Sequence, residues 1–316
     1  MSPKDIATTF QNSTRQSNKN KYYSVIKINI DEAQSIAHAL FNLSGTATAL
    51  DGEKDFNFKI ETPSKNYLLK VSRPNESLEY VEFQTKLLEH LKTKKLMDTP
   101  EIILDTNGNA ISKVKDDNGE ERLVRLLSWA EGRLWSSVNP ITNALLHSLG
   151  EKSGNLTAAL QDFEHPFADR YLEWDISNAL WCKEHLDMFE GSRKNILSTF
   201  LEAFEQIQPT YTSFRKSVIH GDINDNNIIV DDEFVNPSVQ SIIDFGDAVK
   251  TQTINDVAIA LAYAIMDKED PIAAATEVLK SYHNQFPLVE EELAVLHTLV
   301  AMRLTITVTK STLNKL

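Results

Sequence analysis

Short strand-like runs separated by polar turns, with two helical stretches among them, fill the first 130 residues of this 316-residue chain after a polar start, and apolar positions then recur with a helical period over most of the rest. Residues 1–24 are rich in Asn, Ser, Lys and Thr, too polar to bury a core of their own, and are expected to form a flexible tail. Ala33, Ile36, Ala37 and Leu40 share one face of a helix predicted over Asp31–Asn42, with Asp31 as its cap and Gly45 as its stop. Three strands are expected next, at Thr46–Leu50, Asn57–Glu61 and Tyr67–Ser72, joined by the turn-rich segments DGEKD and PSKN. A helix over Ser77–Lys92 carries the stripe Leu78–Val81–Leu88; residues 105–121 read as a polar hairpin, and Arg122–Ser128 as a buried strand running into WAEGRLW.

From Ile141 the period lengthens. Leu145, Leu149, Leu156 and Leu160 mark a helix through Gln161, closed by Pro166; further helical stretches cover Tyr171–Phe189, Arg193–Gln208 (ending before Pro209), Asn255–Asp267, Pro271–Phe286 and Glu290–Leu316. The pattern predicts an α+β chain: tail 1–24, a strand-rich part 25–127 and a mainly helical part 128–316.

One stretch interrupts the helical part. In Ser217–Val249, SVIHGDINDNNIIVDDEFVNPSVQSIIDFGDAV, β-branched runs at Val218-Ile219, Ile228–Val230 and Ile242-Ile243 flank a polar loop and an Asp-Phe-Gly turn, with Gly246 expected to supply the permissive backbone angle. Strand, loop, strand and turn bring Asp222, Asn227 and Asp244 within reach of one another. Phosphoryl transfer needs Mg²⁺ on oxygen ligands, which Asn227 and Asp244 supply, and a carboxylate to align a hydroxyl and take its proton, which Asp222 supplies. Lys70, inside a strand, asks for a partner: a nucleotide phosphate, with Glu82 as the stabilising carboxylate, against the alternative of an edge-strand surface lysine and solvated glutamates. Leu127 and Trp129 flank the segment whose backbone would meet a purine edge, although Trp129 fits ordinary core packing equally well.

Composition narrows the partners. The formal charge of −13 disfavours nucleic acid and anionic membrane, and fits a cationic substrate weakly. Cys182 is the sole cysteine, so no internal disulfide forms and a reducing, cytoplasmic setting is expected. The eight histidines lack zinc spacing, and the longest apolar run, Val257–Met266, falls short of a membrane span.

HGDINDNNIIV and IDFGD, with Lys70 upstream and the NDVAIALAY helix downstream, resemble the aminoglycoside phosphotransferase and choline kinase group of protein-kinase-like enzymes. Glycine in the middle of His220-Gly221-Asp222, where protein kinases carry arginine, is typical of the small-molecule kinases. DGEKDFNF, RLLSWAEGRLW and the FEHP and LEWD segments are most similar to the hydroxylysine kinase branch. The resemblance implies a two-lobed fold, with a small antiparallel-sheet N-lobe and a larger helical C-lobe. It also implies transfer of the γ-phosphoryl of ATP or GTP, with Mg²⁺, to a small hydroxyl-bearing and amine-containing acceptor. Asp222 is then the base, Asn227 and Asp244 the metal ligands, and Lys70 the phosphate contact with Glu82 as its partner. His220 and Asp256 order the catalytic loop. Asp225, Asp247 and Asn224 border the acceptor, or serve as turn caps; Asp175 and Trp174 line a pocket for a substrate ammonium, or are helix-surface and core residues. Aminoglycoside, homoserine and choline phosphotransferases are the enzymatic alternatives. A nucleotide-binding pseudokinase is the non-enzymatic one, and it would lack one of Lys70, Asp222, Asn227 or Asp244. The turn at Asp51–Asp55 carries only Gly52 of a glycine-rich phosphate loop, and the helical run at Leu316 implies a further helix pair in relatives.

Overall fold

A computed structural model of the chain describes residues 27–52, 54–95 and 98–315, so the expected tail at 1–24 lies outside the described residues. The chain divides into two compact units, one comprising Glu101–Trp129 with the chain up to Thr85, the other Lys86–Pro100 with Ala130–Leu316.

The first unit is a helix on an antiparallel sheet. Helix α1, Ile30–Phe41, is capped by the Asn29 side chain, which accepts from the Glu32 N–H, and it stops at Asn42, held left-handed at φ 54°. Both differ from the expectation: Asp31 lies in the first turn, where it favours the helix dipole, and Asn42 takes the stop assigned to Gly45 because asparagine tolerates that angle. Strands β1 (Thr46–Leu50), β2 (Phe56–Glu61), β3 (Asn66–Val71), β6 (Glu121–Ser128) and β4 (Ile102–Ile103) pair in that order, and β5 (Ser112–Lys115) joins the same edge of β6. Ala33, Ile36 and Ala37 of α1 pack on Phe58, Ile60, Leu69, Val71 and Leu126, so period-3.6 and period-2 apolar faces close one core.

Residues 105–121 resolve into two loops of one design rather than a single hairpin. Asp105 Oδ1 accepts from the N–H groups of Asn107 and Asn109, both at 2.8 Å, and Asp116 Oδ1 from those of Asn118 and Glu120, both at 2.9 Å. Each aspartate closes its own turn ahead of a left-handed glycine, Gly108 or Gly119. Asp116 also holds Arg122, whose Nε donates at 2.7 Å and whose guanidinium is fully buried.

The second unit is mainly helical. Its strands are β7 (Arg133–Leu134), β8 (Lys216–Ile219), β9 (Ile228–Val230), β10 (Val239–Ile242) and β11 (Val249–Gln252). The helices are α3 (Asn143–Ala159), α4 (Gly191–Tyr211), α5 (Ile254–Ala264), α6 (Pro271–Gln285) and α7 (Glu290–Leu313), with a 3₁₀ stretch over Ile176–Met188. Helix α2, Leu78–Lys94, runs from the first unit into the second. Contrary to expectation α4 continues through Pro209 to Tyr211, although proline there has no N–H to give to the carbonyl one turn earlier. Glycines let α3 and α6 approach closely: a Cβ on Gly150 would lie 2.1 Å from the Val278 carbonyl oxygen. Helix α7 is long and apolar enough by composition to cross a membrane, but it buries Val295, Leu299, Met302 and Ile306 together with Arg303, the marks of a core helix.

Candidate active site

The loop after β8 is fixed from both sides. His220 is fully buried; its Nδ1 accepts from the Asp222 N–H at 3.1 Å, so Nε2 carries the proton and donates to the Ile243 carbonyl at 3.0 Å. Burial holds its pKa below the ordinary value, in keeping with a neutral ring. Phe245 meets the ring edge to face at 4.7 Å between centroids. Gly221 stands at φ 78°, and a Cβ on it would come within 2.6 Å of the Asp247 carbonyl oxygen, so this loop takes no side chain between His220 and Asp222 without moving. The Gly221 N–H donates to Asp256 Oδ1 at 3.1 Å, and Asp256, fully buried on α5, also receives the Thr157 hydroxyl at 3.4 Å.

Asp222 is thereby presented with its carboxylate held at both oxygens. Oδ2 accepts from the side-chain amides of Asn224 and Asn227, each at 2.9 Å; Oδ1 accepts from Arg303 Nη2 at 2.5 Å. Its pKa is pushed up to about 6: burial raises it most, the Arg303 charge opposes, and the carboxylates of Asp247 and Asp244 add to the rise. The side chain remains 23% exposed. Asn227 gives its amide nitrogen to Asp222, also reaching the Asp222 carbonyl at 2.9 Å, which turns its amide oxygen to the role of acceptor. Asp244 is exposed in the left-handed region at φ 61°, with Oδ1 accepting from the Gly246 N–H at 3.2 Å. The strained residue of the turn is thus Asp244, not Gly246, which lies in the 3₁₀ turn Phe245–Asp247. An amide oxygen and an exposed carboxylate fit a hard cation that takes few protein ligands; among the described residues no cluster of three His, Cys, Asp or Glu offers a closed metal site.

The residues expected at the acceptor divide. Asp225 and Asp247 are half-buried on the loops beside Asp222, and the Asp225 carbonyl accepts from the Ser136 N–H at 3.0 Å. Asp175 is an N-cap: Oδ1 accepts from the Ser177 N–H, the Thr251 hydroxyl and the Asn255 amide, and Oδ2 from the Ser177 hydroxyl at 2.5 Å. Those four donors account for its burial without a substrate. Trp174 carries protein cations on its ring, Arg303 at 5.0 Å and Lys310 at 5.9 Å from the centroid.

In the first unit Lys70 is buried on β3, and its ammonium lies 3.5 Å from Asp55, not in an ion pair with Glu82. Strand register explains the difference: Asn57 of β2 pairs with Lys70, and Lys70 with Arg125 of β6, so Asp55, two residues before Asn57, reaches both cations; its Oδ2 is 3.3 Å from Arg125. Glu82 is half-buried on α2. Leu127 is buried opposite Leu68, and Trp129 is half-buried with the Lys59 ammonium 5.2 Å from its ring.

Sequence reasoning missed Arg303, Tyr263, Asp55 and Arg125. An arginine amid the apolar run LHTLVAMRLTITV was the available signal for the first, and the acid beside the strand start in EKDFNF for the third.

A profile of the phosphotransferase enzyme family matches residues 46–296. Hydroxylysine kinase of Mus musculus is 27% identical over 298 residues, covering 86% of this chain and 78% of that protein. Among solved structures, a microcompartment-associated aminopropanol kinase superposes with a TM-score of 0.71 at 18% identity, over 89% of this chain and 88% of its own. An amicoumacin kinase in complex with AMP-PNP and Ca²⁺ does so with 0.68 at 17% identity, over 89% and 85%. At such identities the structural likeness shows the shared fold.

Proposed function

This chain belongs to the phosphotransferase enzyme family and is a small-molecule kinase with a hydroxyl-bearing acceptor, and we propose that the acceptor is a hydroxy amino acid or amino alcohol, hydroxylysine first. The supporting observation is the Asp222 carboxylate, exposed at one side and tied through Oδ2 to Asn227, so that base and metal ligand share one rigid loop. Asn227 and Asp244 are the residues that would hold Mg²⁺, which when bound neutralises charge on the nucleotide phosphates. Lys70 would meet those phosphates, with ATP or GTP as donor.

Asp222 aligns the acceptor hydroxyl and receives its proton as the new oxygen–phosphorus bond forms. The bond from the γ-phosphorus to the β,γ-bridging oxygen breaks, and the nucleoside diphosphate leaves with that electron pair. Hydroxylysine is supported by the extended similarity to the mouse enzyme of that name. The test is nucleotide consumption by the purified protein, with ATP and with GTP, against hydroxylysine, ethanolamine, homoserine, choline and an aminoglycoside. Turnover highest on hydroxylysine is expected; turnover confined to choline or the aminoglycoside would overturn this acceptor class.

A further inference from the structure

Arg303 lies on α7, beyond the residues 46–296 that the family profile matches, yet it contacts the reacting carboxylate. Only 1% of the residue is exposed. Nη2 reaches Asp222 Oδ1 at 2.5 Å and the Tyr263 hydroxyl at 3.3 Å, while Nη1 donates to the Trp174 carbonyl at 3.2 Å. The guanidinium lies over two rings, 5.0 Å from the centroid of Trp174 and 5.6 Å from that of Tyr263. A core that needed only filling would take an apolar side chain more cheaply than a desolvated arginine. What the arginine supplies is direction, because its planar fork is oriented by the rings and the carbonyl before it meets the carboxylate.

With two amides on Oδ2 and one N–H on Oδ1, the uncommitted acceptor position of the carboxylate is on Oδ1. We propose that Arg303 is a positioning residue for phosphoryl transfer: it holds Asp222 so that Oδ1 faces the acceptor hydroxyl. The inference rests on the reading of Asp222 as the base.

The test is a double-mutant cycle of Arg303→Met and Asp222→Asn, assayed by single turnover on the acceptor the wild-type protein consumes fastest, with binding of the magnesium–nucleotide complex measured by calorimetry. Arg303→Met is expected to lower the rate constant about 30- to 100-fold, the scale of a small misplacement of a reacting group, with acceptor KM and nucleotide affinity within about threefold. In the Asp222→Asn background the same change is expected to add less than about twofold, because residues acting as a unit are not additive. Arg303→Lys, with one donor point in place of a fork, is expected to recover no more than about tenfold. An unchanged rate in Arg303→Met overturns the proposal, as does a full multiplicative loss in the Asp222→Asn background or a parallel loss of nucleotide affinity. Asp222→Asn at the wild-type rate sinks the base assignment itself and is read separately. Should Arg303→Met fail to fold, Tyr263→Phe decides: it deletes the hydroxyl that accepts from the same Nη2, and a rate lowered about two- to fivefold is expected, an unchanged rate being the contrary result.

Discussion

Two buried arginines each meet one aspartate in this protein, with opposite consequences. Arg122 and Arg303 have side chains 0% and 2% exposed, and each has an Nη2 2.5 Å from its carboxylate. Asp116, the partner of Arg122, is 1% exposed in its side chain, and its pKa lies below the ordinary value: burial works to raise it, but Arg122 and the N–H groups of Glu120 and Asn118 outweigh burial. Asp222 is driven the other way, because burial and the charges of Asp247 and Asp244 outweigh Arg303 and the Asn224 amide. An ion pair alone therefore says little about role. Asp116 accepts from three donors, the N–H groups of Asn118 and Glu120 and the Nε of Arg122, and joins strand to loop; Asp222 keeps an exposed side and acidic neighbours, the surroundings expected of a reacting group.

The sharpest way to break this contrast is Asp222→Ala. Turnover is expected to fall about 10³- to 10⁴-fold while magnesium–nucleotide binding persists, measured by steady-state rates and calorimetry; full activity would remove the contrast. Asp116→Ala strands a buried guanidinium and is expected to cost about 3–5 kcal/mol in urea unfolding, with kcat of the folded protein unchanged. A loss under about 1 kcal/mol would make the pair no better than a surface one. Asp244→Ala is expected to weaken magnesium–nucleotide affinity about 10- to 100-fold with the folding midpoint little altered, and equal affinity would refute its metal role.

The smallest effect separates the loops from the site by pH. Asp105, like Asp116, has its pKa lowered: burial opposes, but the N–H of Asn109, the Ser112 hydroxyl and other donors bring it from 3.8 to about 2. A carboxyl depressed on folding adds stability above its unfolded value and loses it as the pH falls through the folded one. The contribution of Asp105 to stability is thus expected to be complete above about pH 4 and to be lost toward about pH 2, so that the acid limb of the profile is flatter in Asp105→Ala. An identical slope in that variant would show that the loop aspartate is not linked to folding.

Local chemistry was legible in the sequence. Asp222, Asn227 and Asp244 fall in one stretch, where β-branched runs and polar turns announce strand ends, and α5 and α6 declared themselves by apolar period and by Pro271. Partners set by register or by long separation were not. Asp55 reaches Lys70 because β2 and β3 align Asn57 with Lys70, a register that period alone leaves open. Arg303 and Asp222 are 81 residues apart, and nothing in the spacing of either points to the other. The helix stop at Asn42 was missed for a smaller reason: asparagine shares glycine's tolerance of the left-handed region and gives a weaker signal.

The position of Arg303 on α7 bears on how fragments of such proteins are judged. A piece ending where the family match ends, at residue 296, would keep the whole of HGD and DFG and so pass for an intact kinase by its motifs. It would also lack the side chain that meets Asp222, so an inactive result from it would be evidence about the cut, not about the enzyme.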